Sequence, residues 1–413
     1  MKTIFPGTLR GDVAAPPSKS VAQRAVAAAC LIDGESRISM GTACDDVESA
    51  LRVAAGLGAM VRRTDDGYAI SGRINPPASV VDCGEAGLCL RMFSAVAALF
   101  DREIALGARG SLQSRPADMV VSPLCTLGAS CTTANGLPPV RVRGPLTGGD
   151  VTVDATTSSQ FLTGLLIALP HCKGDSVVRA PGLKSRPYVA MTVGFLRDIS
   201  VRMEVGDDLE TFRIPGNQVL SPFTMTVEGD WSGASFLLVA GALAGQVSVK
   251  RLNPADSQAD RRIIEALEMA GADVRINKDT VSVNQSELNG FSFDATHCPD
   301  LFPPLAALAA HCRGTTRIAG VHRLSSKESD RGAAIIEEFG KLGLTIRIEG
   351  DEMVITGGPL RGGDVDAHGD HRMAMALAVA ALRAKDQVHI HGDDSINKSY
   401  PDFFRDLERL RPA

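Results

Sequence analysis

Acids, a histidine and a set of cations sit in short polar segments spread along the chain: Lys19 in PPSKSVAQR, Asp300 in HCPDLFP, Glu328 in RLSSKESDR and His371 in GDHRMAMA. Carboxylates and an imidazole can take and return protons, and an ammonium group can stabilise a developing anion, so these residue types are equipped for general acid–base chemistry. Further cations occupy the same kind of segment: Arg24, Arg91, Arg115, Lys327, Arg331, Arg372 and Lys398. Ser20 and Arg24 are four residues apart, as are Lys327 and Arg331, a spacing that puts each pair on one helix face. Two anionic groups could be held at once. Each residue also has a plainer use. A lone Lys or Arg is most often a solvated surface charge. Ser158 and Ser159 could cap a helix, and Asp300 reads as a helix N-cap ahead of first-turn prolines. His371 could end a strand loop, and Glu328 could serve as an i, i+3 partner of Arg331. Eight cations at equivalent places weigh against the plainer uses taken together.

Those places are equivalent because the chain repeats. Polar openings at Pro16, Asp82, Asp154, Glu228, Asp294 and Asp366 each lead into 10 to 14 apolar residues rich in Ala and Leu, recurring about every 70 residues. A β-branched run, an amphipathic helix and a further strand then follow. VSVKRL (247–252) and TTRIAGV (315–321) read as strands, and RRIIEALEMAGADVRI (261–276) as a helix stopped by Gly271. A segment such as FLLVAGALAG has almost no polar side, so as a helix it must be buried nearly all round. Each unit is thus a mixed α/β module, and six modules predict two domains of three around central buried helices. The competing arrangement is a pair of ordinary open α/β sheets. Every polar opening falls at a helix N-terminus, where unpaired N–H groups and the positive dipole end favour anions.

Composition narrows the function classes. At 413 residues the chain predicts two or three domains. Lys and Arg total 43 against 48 Asp and Glu, with one Trp and three Tyr. That is neither the basic field nor the stacking surface that nucleic acid requires. The nine cysteines form no C-x-x-C pair, which suits a reducing compartment. Cys83/Cys89, Cys125/Cys131, His297/Cys298 and His311/Cys312 lack zinc-site spacing, so no metal is expected. No run of 18 apolar residues occurs, and the first residues do not read as a signal or transit peptide. A cytoplasmic protein without membrane contact is the expectation.

Nine motifs in order, PPSKSVAQR, GEAGLCLRM, SLQSRP, TSSQFLTG, LKSRPY, HCPDLFP, RLSSKESDR, GDHRMAMA and NKSYPDFF, closely resemble the 5-enolpyruvylshikimate-3-phosphate synthase (3-phosphoshikimate 1-carboxyvinyltransferase) family. The resemblance spans residues 16 to 404. It implies a two-lobed enolpyruvyl-transferase fold of six βαβαββ-type units, three per domain. Residues 1–14 with 228–413 would form one lobe and 15–227 the other, with the active site in the cleft between them. It implies transfer of the enolpyruvyl group of phosphoenolpyruvate to the 5-hydroxyl of shikimate 3-phosphate, with release of phosphate. That is a step of the shikimate pathway to chorismate and the aromatic amino acids, and the known target of glyphosate in this family. By the resemblance Asp300 accepts the hydroxyl proton, Glu328 exchanges protons at the methylene or methyl carbon, and Lys19 with His371 supports charge at the leaving phosphate.

The motifs also imply binding roles. Lys19, Ser20, Arg24, Ser158, Ser159 and Gln160 match positions for shikimate 3-phosphate, as do Ser185, Tyr188, Asp300, Arg323 and Lys327. Lys19, Gly87, Arg115 and Gln160 match positions for phosphoenolpyruvate, as do Arg331, Arg372 and Lys398, and Arg91 matches a motif arginine. Without a Cβ, Gly87 lets the backbone approach a ligand closely. No cofactor or metal is implied, the partners are the two small substrates, and a monomer is expected. The chain departs from better-known members at Glu85 (for Asn), Leu88 (for Thr), Met92 (for Pro), Arg186 (for Lys) and Arg323 (for Asn), which bears on the phosphoenolpyruvate pocket and on glyphosate sensitivity. Two relatives in architecture differ in motif. UDP-N-acetylglucosamine carboxyvinyltransferase usually opens with Lys-Asn and carries a loop cysteine, whereas Ser20 follows Lys19 and no Cys stands just ahead of Arg115. RNA 3'-phosphate cyclase uses a late nucleophilic His and a nucleotide, for which no Gly-rich loop stands out. A non-catalytic anion-binding repeat protein leaves the acids among the bases unexplained.

Overall fold

The computed structural model describes residues 1–72, 78–156, 158–325 and 327–412. The chain divides into two compact units, Met1–Ser18 with Glu228–Ala413, and Lys19–Val227.

In the unit of residues 19–227, the apolar runs become helices Lys19–Ala29, Gly87–Ala97 and Gln160–Ala168. Their interior positions are buried: Val21–Ala29, Cys89–Ala97 and Phe161–Ala168 are closed to solvent throughout. The second helix packs against both others. Its approach to the third is close enough that a Cβ on Gly164 would lie 2.4 Å from the Met92 carbonyl oxygen. Any larger residue at 164 would force the two backbones apart.

Three four-stranded sheets cover these helices. One runs Val80–Asp82, Ile104–Gly107, Leu137–Arg143, Ser130–Ala134, with the first pair parallel and the others antiparallel. A second repeats that order with Asp150–Thr152, Ser176–Arg179, Thr211–Ile214 and Glu204–Val205. The parallel pair of each is bridged by a buried helix, since parallel neighbours need a crossover that returns the chain to the same sheet end. In the third sheet the parallel edge strand is Thr224–Thr226, from the end of this stretch of chain, and it pairs with Gly34–Ser39.

The other unit is built the same way. Helices Trp231–Ala244, Phe302–Ala309 and His371–Ala381 are buried at every residue and pack against one another. Each fully buried Leu or Phe in them contributes about 1.5–3 kcal/mol relative to exposure. Prolines 303 and 304 are accommodated because the first helical turn has no intrahelical use for their missing N–H. The amphipathic run at 261–276 forms helix Ile263–Ala270, stopped by Gly271 at φ 90°, and strand Asp273–Asn277. One sheet takes its parallel edge strand, Leu9–Ala14, from the N-terminal segment, with Val247 opposite Gly11. Another is completed by Lys2–Ile4 beside Val388–His391. Those two pairings explain why the first 18 residues belong with 228–413. Among the described residues no helix is long and apolar enough to cross a membrane.

Candidate active site

In the unit containing residues 228–413, three short elements deliver charge to one place. A 3-10 turn, Pro299–Leu301, precedes helix Phe302–Ala309 and carries Asp300. Helix Arg331–Lys341 opens with Arg331, and helix His371–Ala381 opens with His371 and Arg372. Asp370 caps the last of these by accepting the Arg372 backbone N–H at 2.9 Å.

Arg331 is the hub. Its Nη1 donates to Asp300 Oδ1, its Nη2 to Glu328 Oε2 and its Nε to Asp370 Oδ2, each at 2.6 Å. Asp300 also accepts from Lys327 Nζ at 3.3 Å and from Arg372 Nη2 at 3.0 Å. Burial alone would push the Asp300 carboxyl up, but Arg372, Lys327 and Arg331 outweigh it and hold the group well below the usual carboxylate range. Lys327 moves down because burial disfavours its charge more than Asp300 supports it. Lys398 Nζ donates to the Gly369 carbonyl at 3.3 Å. The His371 imidazole is 1% exposed, with Nδ1 3.7 Å from Asp370 Oδ1. Arg323 is buried, with Nη1 3.4 Å from the Thr296 carbonyl.

Asp300 does not cap the helix. The residue at the cap of Phe302–Ala309 is Leu301, and Asp300 lies one position inside the preceding turn with its carboxylate committed to the three cations. The capping expectation failed because Pro299 opens a 3-10 turn that takes in Asp300, so that the helix holding Pro303 and Pro304 starts only at Phe302. The i, i+3 pairing of Glu328 with Arg331 does form.

In the unit of residues 19–227, Lys19 Nζ lies 2.7 Å from Asp46 Oδ2. Arg24 is almost fully buried. Its Nε donates to Thr192 Oγ1 at 2.9 Å, Nη1 to the Ser20 carbonyl at 2.7 Å and Nη2 to the Tyr188 carbonyl at 3.1 Å. Burial brings its pKa down to about 10, so it remains charged at neutral pH. Arg24 therefore ties its own helix to Arg186–Asp198. Arg91 donates to Gln160 Oε1 at 2.6 Å and to the Pro116 carbonyl at 2.8 Å. Arg115 lies over Gly87, where a Cβ would come within 3.1 Å of its Nη1. Ser185 holds a left-handed backbone, φ 54°, ahead of the helix that contains Tyr188. Ser158 Oγ accepts the Gln160 N–H at 3.4 Å, and Ser159 is buried beside it. Thr157 and Ser326, each within a motif, lie outside the described residues.

A family model described as EPSP synthase (3-phosphoshikimate 1-carboxyvinyltransferase) matches residues 5–407. The chain belongs to the EPSP synthase family. It is 39% identical over 408 residues to the 3-phosphoshikimate 1-carboxyvinyltransferase of Aeropyrum pernix, covering 98% of this chain and 95% of that one. The Clostridium novyi protein of the same name is 34% identical over 420 residues, covering 98% and 96%. Among solved structures, EPSP synthase from Acinetobacter baumannii superposes with a TM-score of 0.83 at 25% identity, covering 99% of this chain and 98% of its own.

Of the positions expected to set this EPSP synthase family member apart, Glu85, Met92 and Arg186 have local contacts. Glu85 accepts from Ser111 N–H and Oγ at 3.3 and 3.1 Å. Met92 is fully buried and supplies the backbone against which Gly164 packs. Arg186 pairs with Glu210 at 2.7 Å. Two charged residues escaped the sequence reading. Asp370 sits inside a quoted motif, and its place just before an apolar run was the available signal. Asp46, the partner of Lys19, had none, being one acid among three in a first turn.

Proposed function

We propose that the chain transfers the enolpyruvyl group of phosphoenolpyruvate to the 5-hydroxyl of shikimate 3-phosphate, giving 5-enolpyruvylshikimate 3-phosphate and phosphate. Family membership supports the reaction. The observation that carries the chemistry is an ionised Asp300 held by Lys327, Arg331 and Arg372. A carboxylate so held is a weak base. Phosphoenolpyruvate is an anion that competes for the same arginines, and as it takes Arg331, Arg372 and Lys398, Asp300 is released and its basicity rises.

Asp300 then accepts the hydroxyl proton as the oxygen attacks C2 of phosphoenolpyruvate. A proton reaches C3 from Glu328, giving a methyl group and a tetrahedral intermediate. Loss of phosphate, with return of a methyl proton to Glu328, restores the double bond. Lys19 and His371 stabilise charge on the departing phosphate. Lys19, Ser20, Arg24, Ser158, Ser159 and Gln160, with Ser185 and Tyr188, hold shikimate 3-phosphate, together with Asp300, Arg323 and Lys327. Gly87, Arg115 and Gln160, with Lys19, Arg331, Arg372 and Lys398, hold phosphoenolpyruvate. The reading includes a monomer working in the cytoplasm, a reducing compartment in keeping with eight buried free thiols.

The test is phosphate release from phosphoenolpyruvate with shikimate 3-phosphate as the only other substrate. Release that instead requires UDP-N-acetylglucosamine would replace this reading with the wall-synthesis transferase, and binding of both anions without turnover would leave only an anion-binding protein.

A further inference from the structure

Helix Arg331–Lys341 carries two buried charges on residues seven apart, Arg331 and Glu338. Seven residues is close to two turns, so both side chains lie on one face. Both reach the segment that leads into His371 and Arg372. Arg331 holds its far end through Asp370. Glu338 holds its near end: Oε2 accepts the backbone N–H of Asp366 at 2.9 Å, and Oε1 meets His368 Nε2 at 2.6 Å.

The Glu338 side chain is 0% exposed. An ionised carboxylate is costly to bury unless its oxygens are filled, and here they are filled by Asp366, His368 and by Lys341 Nζ at 2.8 Å. Burial pushes the Glu338 carboxyl up, but Lys341, the Asp366 N–H and His368 bring it below its ordinary range. Glu337, Glu338 and His368 are close enough together to suggest a cation site. Lys341 already places an ammonium group on both glutamates, so the carboxylate's function is internal. The turn between the two anchors is sharply bent, with His368 at φ 53° and Gly369 at φ 64°. His368 N–H closes it by donating to Asp366 Oδ1 at 2.6 Å.

We propose that Glu338, with His368, is a positioning residue that fixes the Asp366–Asp370 turn and thereby aims His371 and Arg372 at phosphoenolpyruvate. This rests on the substrate assignment made above for Arg372. A displacement of about 1 Å at a substrate-holding group can cost as much as a hundredfold. Glu338→Gln keeps the shape but removes the charge and one acceptor. It should raise KM for phosphoenolpyruvate about tenfold and KM for shikimate 3-phosphate less than about twofold. His368→Asn keeps a residue that tolerates the left-handed backbone but is too short to reach Glu338, and it should shift the same constant in the same direction. The double variant should be little worse than Glu338→Gln alone, because the two residues act through one contact.

Hydrogen exchange supplies a readout that does not depend on turnover: amides 366–372 should exchange faster in either variant while the remainder of the unit is unchanged. Equal rises in both KM values, or unaltered exchange at 366–372, would overturn the positioning role. If Glu338→Gln does not fold, His368→Asn decides by the same two measurements. A wild-type protein that releases no phosphate from phosphoenolpyruvate sinks the functional reading instead, and the exchange result still decides whether Glu338 orders the turn.

Discussion

Arg331 and Asp370 form a fully buried ion pair, Nε to Oδ2 at 2.6 Å, with side chains 1% and 0% exposed. The same Asp370 caps the helix that starts with His371, so one carboxylate joins two helix N-termini. Breaking such a pair leaves an uncompensated buried charge. Asp370→Ala should lower stability by about 3–5 kcal/mol in urea unfolding. A loss below about 1 kcal/mol would mean that Glu328 and Asp300 suffice for Arg331.

Asp300→Asn tests the proton acceptor. Asn preserves size but loses the charge and one acceptor and cannot take the hydroxyl proton, so turnover should fall about 10²- to 10⁴-fold with unchanged circular dichroism. Near-normal turnover would reduce Asp300 to a charge that organises its arginines.

Asp260 makes stability depend on pH. It is buried behind Ser232, whose Oγ is hydrogen-bonded to it. Burial, followed by the charge of Asp300, raises its pKa to about 6 against the opposing pull of Arg372. A raised carboxyl favours folding below its unfolded pKa of about 3.9, and that advantage is lost as pH rises through about 6. Asp260→Asn should therefore gain on the wild type by roughly 2–3 kcal/mol between pH 4 and pH 7.5. Parallel stability curves for the two proteins would contradict this.

On the proposed substrate assignment, Lys398 and Arg24 should separate the two substrates. Lys398→Ala should raise KM for phosphoenolpyruvate about ten- to a hundredfold and KM for shikimate 3-phosphate much less, with Arg24→Ala doing the reverse. Arg24→Ala should also lower the melting temperature, because its guanidinium ties two helices together inside the unit. Equal changes in both constants for both variants would dissolve the assignment by substrate.

Gly87→Ala probes the space beneath Arg115. The added Cβ would lie 3.1–3.2 Å from the guanidinium, so that group must shift by a few tenths of an ångström. KM for phosphoenolpyruvate should rise about threefold or more, with stability nearly unchanged. An unaltered KM would show that Arg115 moves freely.

The buried helices were legible because their signal is local. FLLVAGALAG has no polar side, and in the structure all of Trp231–Ala244 is buried. Gly271 stops its helix for a reason equally local, a left-handed φ of 90°. The motif cations were readable as types, whereas their partners were not. Lys19 meets Asp46 and Arg331 meets Asp370 through tertiary contacts that leave no periodicity in the sequence. Asp300 misled for a related reason, since a residue before prolines looks like a cap whether the chain begins an α-helix there or a 3-10 turn. Arg24 shares a helix face with Ser20, as their spacing indicates. Its spacing said nothing of Thr192 and Tyr188, which draw it inward.

Strand Leu9–Ala14 pairs with Gly245–Lys250, and Lys2–Ile4 with Val388–His391. During synthesis, then, residues 2–14 leave the ribosome long before the strands they pair with are made. The stretch from Lys19 to Val227 contains all its own strands and can fold while the remainder is still being made. At about 5–20 residues per second, these two leading strands wait on the order of ten to eighty seconds for their neighbours. Throughout that time their backbone edges are open to other chains.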